Sequence, residues 1–165
     1  MRKPRKLKPD ATYHITATIN KEEKIFNKDN IKDLFLKVTN EAKLKYNFEL
    51  TNFCIIENHI EFILKPIKDS LSKIMQWILS VFAMRYNHIH NLKGHVWYDR
   101  FKSRIIETIE EIEVSFKSIS QKPVEAKLAK KASEYKYCGI SLIIKGIFDL
   151  IEKPPQNLLE LAFSY

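Results

Sequence analysis

Glycine is scarce in this chain, with only three among 165 residues. A loop that cradles phosphate groups through its backbone needs several closely spaced glycines, and the sequence contains no such motif. No apolar run reaches the length of about 20 residues that a membrane-spanning helix needs. The basic first nine residues also lack the apolar stretch of a secretory signal peptide. We therefore expect a cytoplasmic protein with no membrane partner.

Cysteine is equally rare, and the two cysteines are Cys54 and Cys138. They are far apart in the sequence, and each stands in an apolar stretch. This pattern favours reduced thiols in the core over a disulfide or a pair of metal ligands. Reduced thiols agree with the expected cytoplasmic location.

Positive charge is what the chain has in excess. Its 28 lysines and arginines exceed its 20 acidic residues, which gives a formal net charge of +8 and an isoelectric point near 9.4. This balance favours a polyanionic partner, with nucleic acid first and an acidic membrane surface second. A lysine-rich surface without a function is the alternative interpretation.

Hydrophobic periodicity predicts one domain over residues 1–165, with the order strand, helix, strand, strand, helix, strand, helix. This order predicts an α+β fold, a ferredoxin-like split β-α-β sandwich with an antiparallel sheet and its helices on one face. A flexible basic arm (1–9) precedes the domain, and a C-terminal helical extension (139–165) ends it. We expect Pro123 to end the third helix and a short helix to follow over 124–131.

Two groups of basic residues are candidates for contacts with nucleic-acid phosphates. The arm carries five basic side chains and no acidic one: Arg2, Lys3, Arg5, Lys6 and Lys8. The second group comprises Arg85, Arg100, Lys102 and Arg104, together with Trp97 and Tyr98. The two aromatic rings could stack on unpaired bases. Packing in the core is the alternative for Trp97, and a solvated strand edge is the alternative for the arginines.

The stretch 54–64 predicts two short strands that meet at a tight turn. Beyond the turn, His59, Glu61 and Ile63 face one side, because side chains alternate across a sheet. An imidazole beside a carboxylate can hold a divalent metal, so we predict a weak magnesium or manganese site at His59 and Glu61. The polar face of a half-buried strand is the alternative, since the motif is short.

Several segments, taken in order, are similar to one known family. They are 2–5 with 13–16, then 54–66, then 70–77, and finally 94–97 with 100–103. The last pair is the most specific, because it matches a glycine-histidine-x-tryptophan run and an arginine-phenylalanine-lysine-serine run. On these segments the chain resembles HUH-type single-tyrosine transposases from about Arg2 to Leu142, and most closely the REP-associated tyrosine transposases.

The resemblance implies enzymes that cut and rejoin single-stranded DNA beside imperfect hairpins. In them a tyrosine attacks a phosphodiester, while two histidines and a third residue on a helix hold a divalent metal. This chain keeps the first metal histidine as His59. Glu61 replaces the second histidine, and Ser118 stands at the position of the tyrosine. Lys122 stands at the third-ligand position, where its positive charge would repel a metal.

We therefore predict a protein of this family that binds single-stranded or hairpin DNA and is impaired in strand cleavage. Two alternatives stay open. One is an active metal-dependent nickase or transposase with an unusual nucleophile, such as Ser118 with Lys122 as its base. The other is a module that binds RNA or a protein partner. We expect a monomer or a homodimer.

Overall fold

The computed structural model describes residues 3–20 and 23–165, so Arg2 lies outside the described residues. Within them, four strands form one antiparallel sheet in the order β2-β3-β1-β4, and five α-helices surround it. The strands are β1 (Thr12–Thr18), β2 (Glu49–Ile56), β3 (His59–Lys65) and β4 (Lys102–Ile106). The helices are α1 (Asp29–Tyr46), α2 (Leu71–His90), α3 (Ile109–Glu125), α4 (Gly139–Lys145) and α5 (Gln156–Ala162). The predicted α+β sandwich with an antiparallel sheet is confirmed.

The two faces of the sheet differ because side chains alternate along each strand. On β1, Tyr13, Ile15 and Ala17 are buried on one face, whereas His14 and Thr16 are half-buried on the other. The first face belongs to the main hydrophobic core. The second face carries the polar groups of the candidate site.

Helices α1 and α2 cover the apolar face. The ring of Phe35 on α1 has its centroid 6.0 Å from that of Phe62 on β3 and 5.3 Å from that of Phe82 on α2. The start of α2 follows its predicted signal, since Ser70 Oγ accepts a hydrogen bond from the N–H of Lys73 at 3.2 Å. Helix α2 therefore forms where amphipathic patterning and capping place it, whereas α1 follows its apolar stripe and begins after Lys28 without a side-chain cap.

Helix α3 covers the other face, although we expected the helices on one face. Asn52 on β2 ties it down, because its side-chain amide donates to the carbonyl of Phe116 at 3.3 Å and to Ser120 Oγ at 3.1 Å. The alternation along the strands predicted one polar face of the sheet, and the helices were expected on the other. In the structure those polar side chains have partners on α3, so the polar face of the sheet is covered by a helix.

Helix α3 also passes through Pro123 and ends at Glu125, which corrects the expected end at the proline. Pro123 stands in the last turn, where its missing N–H removes a single hydrogen bond of the helix. Its carbonyl still accepts a hydrogen bond from the N–H of Leu128 at 2.9 Å. The chain then turns at Lys127, whose φ is 59°, so the helix predicted over 124–131 does not form.

In the C-terminal segment, α4 packs against β2, and α5 packs against α3 and α4. The N–H of Glu152 donates to the carbonyl of Leu50 at 2.9 Å. The ammonium group of Lys43 on α1 donates to the carbonyl of Leu150 at 2.7 Å and contacts the carboxylate of Glu152. In the described part of the chain, no helix combines the length and apolar composition needed to cross a membrane.

Candidate nucleic-acid interface

Strands β1 and β3 place a polar centre on the sheet face beneath α3. In the strand register Thr18 pairs with His59 and Thr16 with Glu61, so both predicted metal residues lie on this face. Lys122 reaches the same place from α3, with its Nζ 3.9 Å from Glu61 Oε2. We call the four residues His14, His59, Glu61 and Lys122 the sheet-face centre.

Glu61 lies in the middle of this centre and is only 6% exposed. Its Oε1 lies 3.0 Å from His14 Nε2, and its Oε2 lies 3.6 Å from His59 Nε2. Burial alone would raise the pKa of the carboxyl group. The two histidines and the charge of Lys122 outweigh burial and lower the pKa of Glu61 to about 2. Glu61 is therefore ionised at neutral pH, because these three neighbours offset the cost of burying its charge.

His14 links Glu61 to α3 and β4. Its Nδ1 lies 3.2 Å from Ser115 Oγ and 3.3 Å from Arg104 Nη2, and Arg104 also donates to Ser115 Oγ at 3.0 Å. A guanidinium group only donates, so it favours Nδ1 of His14 as an acceptor and Nε2–H as the donor to Glu61.

Ser115, His14 and Glu61 follow one another as the members of a hydrolase triad do. Ser115 is nevertheless fully buried, and it already accepts a hydrogen bond from Arg104. A buried hydroxyl cannot reach a polymeric substrate, so this set is a structural network and not a nucleophile with its base.

Ser118, at the position of the family's tyrosine, is half-buried on α3, one turn before Lys122. Its hydroxyl has no hydrogen-bond partner among the residues that the structure describes. The Lys122 ammonium group faces Glu61, so the geometry gives Ser118 no adjacent base. A serine without a base is a weak nucleophile.

The residues of the centre do not fit a stably bound divalent metal. His59 Nε2 and Glu61 Oε2 supply two donor atoms, but the third-ligand position holds an ammonium group 3.9 Å from that oxygen. The positive charge of this ammonium group would repel a metal ion bound to the same oxygen. Across residues 3–20 and 23–165, no group of three histidine, cysteine, aspartate or glutamate side chains is arranged to hold a metal. The weak site at His59 and Glu61 stays a prediction.

A groove between the N-terminal arm and β4 collects five of the predicted contact residues. It has a volume of about 580 Å³, and its basic side chains are Arg5, Lys6, Arg100, Lys102 and Arg104. We call it the cationic groove. The arm that forms one wall is anchored, in contrast to the flexible arm that we expected. The Arg5 guanidinium stacks 3.5 Å above the ring of Phe101 and donates to its carbonyl at 2.7 Å.

A second hollow of about 320 Å³ adjoins this groove and reaches the strand residues that pair with Glu61 and His59. Arg100 and Lys102 line both hollows, and Thr16 and Thr18 line the second one beside Glu61 and His59. Tyr98 borders the same hollow with 71% of its surface exposed. A polar path with an exposed aromatic ring therefore runs from the cationic groove to Thr16 and Thr18, the strand neighbours of the centre.

Trp97 lies apart from this path, because it turns its ring towards the core. The ring centroid lies 5.6 Å from that of Phe82, and Nε1–H donates to the carbonyl of Leu79 at 2.9 Å. The alternative of core packing describes Trp97 better than stacking on a base. Its neighbour Tyr98 presents the exposed ring, with 71% of its surface accessible.

Two other predicted contact residues form ion pairs. Arg85 on α2 lies 2.7 Å from a carboxylate oxygen of Glu41 on α1, on the opposite side of the sheet from the centre. The structure therefore does not bring it together with Arg100, Lys102 and Arg104. Lys8 pairs with Glu107 at 3.5 Å, whereas Lys3 and Lys6 are exposed on the arm.

His14 and Ser115 belong to the network of the centre but were not among the predicted site residues. A signal existed for His14, because it shares the polar face of β1 with Thr16, and β1 neighbours β3 in a split β-α-β sheet. No comparable signal existed for Ser115, since a small polar residue on an amphipathic helix has many roles.

Two solved structures have a fold similar to that of this chain. The chain is similar to a REP-associated tyrosine transposase bound to a REP hairpin, with a TM-score of 0.74 and 18% identity over 94% of this chain and 93% of that one. It is also similar to a candidate transposase from Deinococcus radiodurans R1, with a TM-score of 0.51 and 12% identity over 76% of this chain and 97% of that one. No curated protein matches the chain. The fold is that of a transposase.

The family follows from the sequence itself. The family model of IS200-like transposases matches residues 8–122, well over half of the chain. The chain therefore belongs to the IS200-like transposase family, and the predicted relationship is confirmed. All four residues of the sheet-face centre lie within the matched segment. Because this family is metal-dependent in general, the poor fit of the centre to a metal is a property of this chain.

Proposed function

We propose that this chain binds single-stranded or hairpin DNA and has lost strand cleavage. The observation that carries the proposal is the polar path from the cationic groove to Thr16 and Thr18, beside the sheet-face centre. Arg100 and Lys102 line both of its hollows, and the arm adds Arg5 and Lys6. Basic side chains along a groove are suited to a phosphate backbone.

Unpaired nucleotides fit this path better than an uninterrupted duplex. Tyr98 is exposed beside the second hollow, and an aromatic ring in that place can stack on a base that is not paired. The REP-associated transposase that shares the fold is bound to a REP hairpin, which supports a structured DNA ligand for this chain.

Loss of cleavage follows from the chemistry of three positions. Ser118 replaces the tyrosine and has no adjacent base, and Glu61 replaces a histidine. Lys122 places a cation where the family pattern has a metal ligand. Without an activated nucleophile and a metal, the scissile phosphate is neither attacked nor polarised.

The test uses an end-labelled DNA hairpin with single-stranded flanks, incubated with the protein and magnesium or manganese. We expect a retarded band on a native gel, and neither cleavage nor a covalent adduct on a denaturing gel. The double variant Arg100→Ala/Lys102→Ala should weaken binding by about tenfold, at roughly threefold for each phosphate contact. Lys37→Ala, on the exposed surface of α1, is the control and should bind like the wild type.

Each other outcome has a distinct meaning. Cleavage or an adduct that Ser118→Ala abolishes would overturn the inactive centre and support a nickase with a serine nucleophile. Absence of binding at low salt would overturn the DNA-binding proposal. Tighter binding to RNA of the same sequence would favour an RNA-binding module.

A further inference from the structure

Two residues that depart from the family's pattern meet in space. Lys122 on α3 and Glu61 on β3 are far apart in the sequence, yet Nζ lies 3.9 Å from Oε2. His59 Nε2 lies 3.6 Å from the same oxygen. One acquired cation and one acquired anion thus face each other beside the retained histidine.

We infer that the Lys122 ammonium group takes the place of the divalent metal in this centre, so that the protein supplies its own cation and binds neither magnesium nor manganese there. The inference goes beyond the proposed function, because it concerns metal binding in the absence of DNA. It can therefore fail while DNA binding holds, and the reverse is equally possible.

The position of Glu61 Oε2 supports this assignment. This oxygen is buried and has no hydrogen-bond partner among the described residues, whereas Oε1 has His14. A buried anionic oxygen needs a positive partner. Among the described residues, the ammonium group of Lys122 is the cation that pairs with Oε2, since His59 is charged only when protonated.

The exposure of Lys122 fits the same role. Its side chain is 30% exposed, compared with 8% for the Glu61 side chain. The ammonium group can therefore neutralise the carboxylate while it keeps part of its hydration, which limits the cost of burying a charge. Arg104, another cation of this region, is already held by Ser115 and His14.

Removal of the Lys122 charge should turn the centre into a metal site. Without the ammonium group, His59 and Glu61 present an imidazole and a carboxylate to the same point, a donor pair that suits Mn²⁺. Asparagine at position 122 adds a neutral oxygen as a third donor. We expect no saturable Mn²⁺ site in the wild type and binding at least about tenfold tighter in Lys122→Asn.

The measurement is a Mn²⁺ titration of the DNA-free protein, with free Mn²⁺ followed by electron paramagnetic resonance and the heat by calorimetry. Lys122→Arg keeps the cation and should behave like the wild type. Lys117→Asn removes one charge from an exposed position of α3 and controls for net charge. The double variant Glu61→His/Lys122→Asn places a second histidine beside His59 and a neutral donor at position 122, so it should also bind Mn²⁺.

Three results would overturn the inference. The first is a wild type that binds one Mn²⁺ as tightly as Lys122→Asn does. The second is an equal gain of affinity in Lys117→Asn. The third is the absence of any gain in Lys122→Asn and the double variant, both folded by circular dichroism. If Lys122→Asn does not fold, Lys122→Gln replaces it in the titration. We expect the same gain of Mn²⁺ affinity, and its absence would overturn the inference.

Discussion

Glu61 retains a charge in a place where burial opposes it. Its side chain is 8% exposed, and three neighbours, His14, His59 and Lys122, offset the loss of hydration. The result is a pKa lowered to about 2, against an ordinary value of 4.5. A carboxyl group with a lowered pKa stabilises the folded state at every pH above its ordinary value.

Glu61→Gln should therefore destabilise the protein at neutral pH and change its response to acid. At pH 7 we expect a loss of about 2–3 kcal/mol in the free energy of unfolding, because the amide keeps one hydrogen bond but loses the charge. The contribution of Glu61 is present above pH 4.5 and is lost as the pH falls from there towards about 2. The difference between wild type and variant should shrink in that window, as measured by urea denaturation at a series of pH values.

Glu49→Gln is a matched control, because Glu49 is also a strand glutamate but is exposed. Its substitution should change the free energy of unfolding by less than about 0.5 kcal/mol at any pH. A Glu61→Gln variant as stable as the wild type at pH 7, or a difference in stability that does not depend on pH, would contradict the conclusion that the neighbours of Glu61 stabilise its buried charge.

The sequence predicted the placement of a side chain correctly where the periodicity of a single strand was sufficient. Alternation along β3 predicted that His59 and Glu61 share a face, and the register confirms it. The contact of Lys122 with Glu61 depends on where α3 docks, which no local pattern encodes. The orientations of Trp97 and Tyr98 were equally hidden, because they lie between α2 and β4 in a stretch without a strand pattern.

At the scale of elements, the docking of α3 decides what the polar face of the sheet can do. The predicted strands and the first three helices are present, because their stripes and capping residues are local signals. The side on which α3 lies was not predictable, since its apolar stripe fits either face. Asn52 helps to select the side, through hydrogen bonds from its amide to Phe116 and Ser120.

Gly139, the first residue of α4, packs against the same asparagine. A Cβ atom on Gly139 would lie 2.2 Å from Asn52 Oδ1 and 3.2 Å from Asn52 Cα. The asparagine cannot turn away without giving up its bonds to α3. We therefore expect Gly139→Ala to lower the free energy of unfolding by about 1–3 kcal/mol, as overpacking does. Thermal and urea denaturation followed by circular dichroism would measure the change.

The control for this element is Ile144→Ala, on the same helix at a position that is 37% exposed. It should change stability by about 0.5 kcal/mol or less, because it leaves the contact with Asn52 intact. If Gly139→Ala were as mild as Ile144→Ala, α4 would not pack on β2 as closely as the structure has it.

At the scale of the whole molecule, the net charge of +8 matters through its distribution. Lys6, Arg100 and Lys102 lie together in the cationic groove. Other exposed lysines, such as Lys28, Lys37 and Lys45, belong to the α1 segment on the far side of the sheet. Net charge alone would attract DNA to both regions, whereas a binding groove concentrates the phosphate contacts in one.

Salt dependence separates these two cases. Each phosphate contact with single-stranded DNA contributes about 0.7 to the slope of log affinity against log salt. The triple variant Lys6→Ala/Arg100→Ala/Lys102→Ala should therefore flatten the slope by about 2, if each side chain contacts one phosphate. The measurement is fluorescence anisotropy of a labelled hairpin with single-stranded flanks over a series of salt concentrations.

The triple variant Lys28→Ala/Lys37→Ala/Lys45→Ala removes the same charge from the α1 side and should leave the slope close to that of the wild type. Equal flattening in both triple variants would mean that DNA responds to net charge and that the groove has no special part. A flattened slope in the groove variant alone would place the phosphate backbone beside Arg100 and Lys102. Both side chains also line the second hollow beside Thr16, so the bound strand would pass next to the strand pair that carries Glu61.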